Sequence, residues 1–160
     1  MNAPLEHQNL TTPSGRTIYE RTARQSNEVA ALLARRLREE TKGEVLFTAA
    51  DRGRYATDAS IYQVMPTGVF LPRTETDVSL ALAICRDLKV PIVPRGGGTS
   101  QCGQTVGAGL VIDFSKHLRQ LISFDASEGR VTVEPGLVLD QLNAQLKSHG
   151  LWYPVDVSTS

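Results

Sequence analysis

Apolar positions recur at helical spacing in three stretches of this chain and gather into short runs between them. Val29, Leu32, Leu33 and Leu37, with Arg36, mark a partial stripe on a predicted helix. Ser26 or Asn27 can cap it, it runs to about Thr41, and Gly43 is placed to stop it. A second helix is predicted over 75–88, with Val78, Ala81, Leu82, Cys85 and Leu88 on one face and a capping box made by Thr74 and Asp77. Leu139, Leu142 and Leu146 carry a third, from about Val138 to His149, closed by Gly150. The apolar runs Glu44–Phe47, Val69–Leu71 and Ile92–Val93 predict strands, as do 110–114, 121–125 and 130–134. Arg130 to Glu134 alternates, which predicts one solvated face. Residues 1–25 are polar and aperiodic and read as a leader, 26–66 as a helix followed by an irregular segment, and 67–160 as the main α+β unit.

The most unusual stretch follows Ile92–Val93. It reads Pro94-Arg95-Gly96-Gly97-Gly98-Thr99-Ser100-Gln101-Cys102-Gly103-Gln104. Three residues without Cβ atoms open backbone angles closed to others and let a ligand reach the main chain. Successive N–H groups in such a turn converge into an anion-binding concavity. Thr99 and Ser100 add hydroxyls and Arg95 adds charge, so a phosphate or pyrophosphate is the simplest ligand. The dinucleotide pattern G-x-G-x-x-G fails, because Gln101 stands where its last glycine belongs. The P-loop pattern fits at Gly98, Gly103 and Thr105 but has Gln104 in place of lysine. It also requires a helix where Leu110–Phe114 reads as a strand. The β-α-β order places this loop at the carboxyl end of a parallel strand, where ligands sit in open α/β sheets.

Composition narrows the field. Lys+Arg and Asp+Glu balance at 17 each, which gives no electrostatic case for nucleic acid or an anionic membrane. Two cysteines provide no disulfide framework. No apolar stretch approaches the roughly 20 residues of a membrane span, and no secretory signal is visible, so a cytoplasmic location is expected. Cys85 reads as a small buried hydrophobe and Cys102 as a loop residue with no His or Lys to activate it. His117 reads as a surface histidine, no metal site is expected, and Trp152 and Tyr153 read as core. Asp58, Ser60 and Tyr62 read from the residues as turn-capping and surface-packing positions.

Read as one string, Val64 to Ser160 resembles the FAD-binding domain of the flavoprotein family that includes vanillyl-alcohol oxidase and p-cresol methylhydroxylase. The resemblance rests on the order of Val69-Phe70-Leu71-Pro72-Arg73-Thr74, the glycine stretch, Leu110–Ser115, Val131-Thr132-Val133-Glu134-Pro135-Gly136 and His149-Gly150-Leu151-Trp152-Tyr153-Pro154. The branch it resembles most is the glycolate oxidase, D-lactate dehydrogenase and D-2-hydroxyglutarate dehydrogenase group. Arg54 to Tyr62 is similar to members fused to an iron–sulfur module, and the resemblance implies a place near the flavin for this region, so that lining of the cofactor site stands equally beside turn capping for Asp58, Ser60 and Tyr62. The resemblance implies a two-subdomain fold gripping FAD, of which this chain supplies the first subdomain and the opening of an antiparallel second. It implies cofactor contacts at Pro94, Arg95, Gly96, Gly97, Gly98, Thr99, Ser100, Gln101 and Gly103, with Pro154, Ser158 and Thr159 joining from the C-terminal segment. Thr99 stands where covalent members carry histidine, which implies non-covalent flavin. A second glycine loop, a substrate-binding cap and any iron–sulfur cysteines would lie beyond Ser160. The chain therefore reads as part of a larger oxidoreductase of small 2-hydroxy acids. Alone it is expected to hold FAD weakly, to be inactive, and to self-associate through the open edges of the strands in 110–134. No catalytic acid or base stands out. A nucleotide-binding module without redox chemistry, and a non-catalytic α/β interaction domain, remain as alternatives.

Overall fold

The computed structural model describes residues 18–155 and 157. Helix α1 (Ile18–Glu40) opens the described chain and is followed by β1 (Glu44–Leu46), α2 (Ala49–Arg54), β2 (Gly68–Leu71), α3 (Glu75–Leu88) and β3 (Ile92–Arg95). After the glycine stretch come β4 (Leu110–Asp113), β5 (Leu121–Asp125), β6 (Arg130–Val133) and α4 (Leu139–Leu146), which tightens into a 3₁₀ turn at Lys147–His149. Gly150 ends that turn with φ 69°, the left-handed cap expected of it.

Four strands form one sheet in the order β1-β2-β4-β3. β4 runs parallel to both β2 and β3, and β1 runs antiparallel to β2. All four residues of β2 and of β4 are buried, as interior strands of a parallel sheet require. On one face Phe70, Leu110 and Ile112 pack with Leu33 and Leu37 of α1 and with Ala81, Ile84 and Cys85 of α3. On the other, Val69, Leu71 and Val111 pack with Leu46, Tyr55 and Val93. Burying each large apolar side chain contributes about 1.5–3 kcal/mol, so these two clusters are what align the carboxyl ends of the parallel strands.

The first helix begins at Ile18, not at Ser26 or Asn27, and so takes in part of the polar stretch read as a leader. A short helix, α2, occupies part of the segment read as irregular. Its Thr48 side chain accepts from the Asp51 N–H. On α3 the capping box is present, but Leu82 is 45% exposed and Ile84 is buried in its place. The grouping of 110–134 as three strands with open edges also fails for the first of them: β4 is paired on both sides, between β2 and β3, and only β5 and β6 form a separate hairpin. Val133 on β6 is 37% exposed, so that strand's apolar positions are only partly covered. Trp152 (67% exposed) and Tyr153 (48%) are surface residues, not core. Among the described residues no helix is long and apolar enough to cross a membrane.

Candidate functional site

Strands β2, β3 and β4 end side by side at Leu71, Arg95 and Asp113, and a cleft of about 440 Å³ opens over those ends. Tyr55, Gly96, Gly97, Ser115 and Lys116 complete much of its wall. Carboxyl ends of parallel strands are where open α/β sheets receive ligands. A second depression lies at the amino ends, beside Thr67 and Pro91, with Lys89 as its one charged lining residue.

The glycine stretch leaves β3 along this edge. Gly98 and Gly103 have φ of 70° and 78°, in the left-handed region that glycine enters without strain. At each, a Cβ would also meet a side chain: the Arg95 guanidinium 2.4 Å from Gly98, and the Tyr62 ring 2.6 Å from Gly103. Gly96 and Gly97 differ. Neither has a positive φ, a Cβ on Gly96 would touch nothing, and one on Gly97 would meet only Thr99 Cγ2 at 3.5 Å. The fold therefore has no packing reason for glycine at these two positions. Among the described residues, no protein acceptor meets the N–H groups of Gly97 to Gln101. A run of unpaired donors that begins on two residues without Cβ atoms fits a diphosphate laid against the main chain.

The far side of the loop is tightly bonded. Ser100 Oγ accepts from the N–H groups of Cys102 (3.2 Å) and Gln104 (3.3 Å) and contacts the Gln104 side chain. Ser100 is thus engaged in shaping the turn. The Thr105 hydroxyl donates to Asp58 Oδ2 over 2.9 Å, while Ser60 N–H donates to Asp58 Oδ1. The contact with Ser60, aided by Thr105, holds the Asp58 carboxyl down at about 2 despite partial desolvation, so it is ionised at neutral pH. The Ala59 N–H donates to Gly98 O, and Tyr62 lies against Gly103. The segment 57–62 is thus a clamp on the loop: Asp58 and Ser60 cap their own turn, Asp58 ties it to Thr105, and Ala59 and Tyr62 meet Gly98 and Gly103.

Arg95 does not point outward. Its Nη1 donates to Thr57 O at 2.9 Å and to Tyr55 O at 3.4 Å, and its guanidinium carbon sits 5.2 Å from the Tyr55 ring centre. One end of the guanidinium is thus bonded to the protein's own carbonyls, while Arg95 also lines the cleft. Beside it, Tyr55 Oη donates to Asp113 Oδ2 at 2.7 Å. Burial and this bond push the phenol up to about 12.

Sequence reasoning missed Tyr55, Asp113 and Thr105. The signal for Asp113 was an acidic residue inside an apolar run. His117 is likewise no isolated surface histidine: it lies 2.7 Å from Glu44 Oε1, where Lys116 also pairs with Glu44 at 2.8 Å. Hydrogen bonds from Lys116 and then His117 hold the Glu44 carboxyl below its usual range. Cys102 is exposed and Cys85 buried. Pro154 is exposed, and Ser158 and Thr159 lie outside the described residues. After the glycine loop the chain enters strand β4, not the helix that a P-loop demands.

Comparison with known proteins bears on the family and the fold. The chain is 39% identical over 121 residues to D-2-hydroxyglutarate dehydrogenase of Escherichia coli, covering 74% of this chain and 12% of that protein. It is 41% identical over 126 residues to glycolate oxidase subunit GlcD of Bacillus subtilis, covering 75% of this chain and 26% of the relative. The chain thus spans a small part of the curated relatives it matches. Among solved structures, alkyldihydroxyacetonephosphate synthase superposes with a TM-score of 0.66 at 18% identity, over 75% of this chain and 25% of its own. p-Cresol methylhydroxylase superposes with a TM-score of 0.58 at 20% identity, over 92% of this chain and 28% of its own. These two likenesses speak for the fold. The model of the FAD binding domain matches residues 66–160, the whole span from the start of β2 through the glycine loop and the β5–β6 hairpin. The chain belongs to the FAD binding domain family.

Proposed function

We propose that this chain is the cofactor-holding part of a flavin-dependent oxidoreductase acting on a small 2-hydroxy acid, and that the open edge of the glycine loop receives the diphosphate of FAD. One observation carries the assignment: Gly96 and Gly97 are glycine where neither backbone angle nor packing asks for it, next to consecutive unpaired N–H donors. An approaching anionic ligand supplies the missing reason. The contacts fall to the main chain of Gly96 to Gln101 and to Thr99, with Pro94 and Gly103 shaping the loop and Pro154, Ser158 and Thr159 joining from the C-terminal segment. Bound flavin would accept the hydride, and this chain's residues bind and orient it. Thr99 stands where covalent members of the family carry histidine, which supports a cofactor held without a covalent bond. The substrate class follows the relatives named above, and no group in the described residues is assigned as its catalytic acid or base.

The test is equilibrium dialysis of the purified chain against FAD, ADP and riboflavin, with Gly97→Val as the comparison. Binding of FAD and ADP, loss of both in Gly97→Val, and weak riboflavin binding are expected. Failure of millimolar FAD to bind, or equal binding by wild type and Gly97→Val, would overturn the assignment.

A further inference from the structure

We infer that Arg95 is a positioning residue: its guanidinium braces the glycine loop from beneath and sets the direction of the loop's N–H groups, without itself meeting the anion. The inference rests on the proposed function for the identity of the ligand but not for the brace.

Four contacts converge on this point. Nη1 is committed to Thr57 O at 2.9 Å, with Tyr55 O at 3.4 Å, so one end of the fork is anchored to the 55–57 segment. The guanidinium lies over the Tyr55 ring, 5.2 Å from its centre. Tyr55 is in turn fixed by its 2.7 Å bond to buried Asp113. The outer side of the fork presses on Gly98: a Cβ there would sit 2.4 Å from Nη2, 2.8 Å from Cζ and 2.9 Å from Nε. Gly98 is also where the chain turns through φ 70°, and its carbonyl is held by the Ala59 N–H at 3.2 Å. The residue that reverses the loop is therefore gripped on one side by Arg95 and on the other by Ala59. Arginine suits this task because its planar fork donates in fixed directions and stacks on an aromatic ring. Lysine carries the same charge on a flexible stem and can do neither.

A brace and a phosphate contact predict different behaviour for the charge-conserving variant. The experiment measures ligand-free amide hydrogen exchange at Ala59 and ADP affinity, in wild type, Arg95→Lys and Arg95→Met. If Arg95 is a brace, Lys does not rescue. Both variants exchange Ala59 faster and bind ADP more weakly, each by roughly tenfold, the size of one charge-assisted hydrogen bond. If Arg95→Lys keeps wild-type protection and affinity while Arg95→Met loses affinity alone, the charge acts on the phosphate and the brace is refuted. A chain that never binds ADP would sink the functional reading, yet the exchange data would still decide the brace. Coupling provides a second check should Arg95→Met unfold. Gly98→Ala should lower protection at Ala59 strongly in wild type and less in an Arg95→Ala background, where the clash is gone and only the strain of the positive φ remains. Equal losses in both backgrounds would count against the contact.

Discussion

Tyr55 donates its hydroxyl to Oδ2 of Asp113 over 2.7 Å, and the Asp113 carboxylate is almost fully buried at the end of β4. Its other oxygen takes the Ser115 N–H at 2.8 Å. The pair ties the segment after α2 to the central strand, directly under the cleft. Tyr55→Phe removes the donor and leaves a buried carboxylate oxygen unpaired, which costs about 1.5–3 kcal/mol. A lower urea midpoint with an unchanged slope checks this. The same pair predicts an alkaline limit. The phenol is raised to about 12, so its stabilisation is complete below the ordinary tyrosine range near 10 and disappears as pH rises through 12. Tyr55→Phe should flatten that part of the stability profile, and an unchanged profile would refute the assignment.

Asp77 performs a second long-range task from the first turn of α3. Its carboxylate accepts from the N–H groups of Lys42 (2.8 Å), Arg73 (3.0 Å) and Thr74 (3.2 Å), and only 2% of the residue is exposed. Burial alone would raise its pKa, but the N–H donors of Lys42, Arg73 and Thr74 outweigh it and the net shift is downward. A depressed carboxyl stabilises the fold above the unfolded pKa near 3.9 and loses that contribution as pH falls through its native value. Asp77→Ala removes a helix cap and orphans three donors, a loss of about 2–4 kcal/mol. Asp77→Asn should show a shallower loss of stability below about pH 4 than wild type. Parallel acid titrations would contradict this account.

The glycines separate into two experimental classes. A Cβ on Gly109 would lie 2.1 Å from Pro91 O, a backbone atom that also accepts the Leu110 N–H. Gly109→Ala therefore forces apart the amino ends of β3 and β4 and should cost about 1–3 kcal/mol or more. Gly96→Ala meets open space and should leave the thermal midpoint nearly unchanged while weakening FAD binding. A Gly96→Ala chain that unfolds early would show that the residue serves the fold.

The two thiols should differ in reactivity. Cys102 is exposed, whereas Cys85 is buried and burial pushes its thiol up to about 11. An alkylating reagent at neutral pH should modify one cysteine in the native chain and two in urea. Labelling of both at equal rates in the native chain would place Cys85 outside the core.

Local structure was the part most readable from the residues themselves. The bounds of α3 and its Thr74–Asp77 box match the expectation, because the cap and the apolar spacing lie within a few residues of each other. The strands at 69–71 and 110–113 were legible as uninterrupted apolar runs. The start of α1 was not. A helix anchored downstream by Leu33 and Leu37 extends cheaply through polar residues, one bond per residue, and leaves no apolar stripe to read. Helix α2 is too short for a period and buries no residue.

The sequence by itself determined that a glycine-rich loop would follow a strand at the carboxyl edge of a β-α-β unit, since glycine's freedom and strand periodicity are properties of adjacent residues. Only the tertiary structure decided that β4 would lie between β2 and β3, that Asp58 and Ala59 would hold the loop at Thr105 and Gly98, and that Arg95 would turn inward against Gly98. The physical reason is distance along the chain. Arg95 meets Thr57 across 38 residues and Tyr55 meets Asp113 across 58. Such pairings form only after burial of the two faces of the sheet has set the course of the backbone.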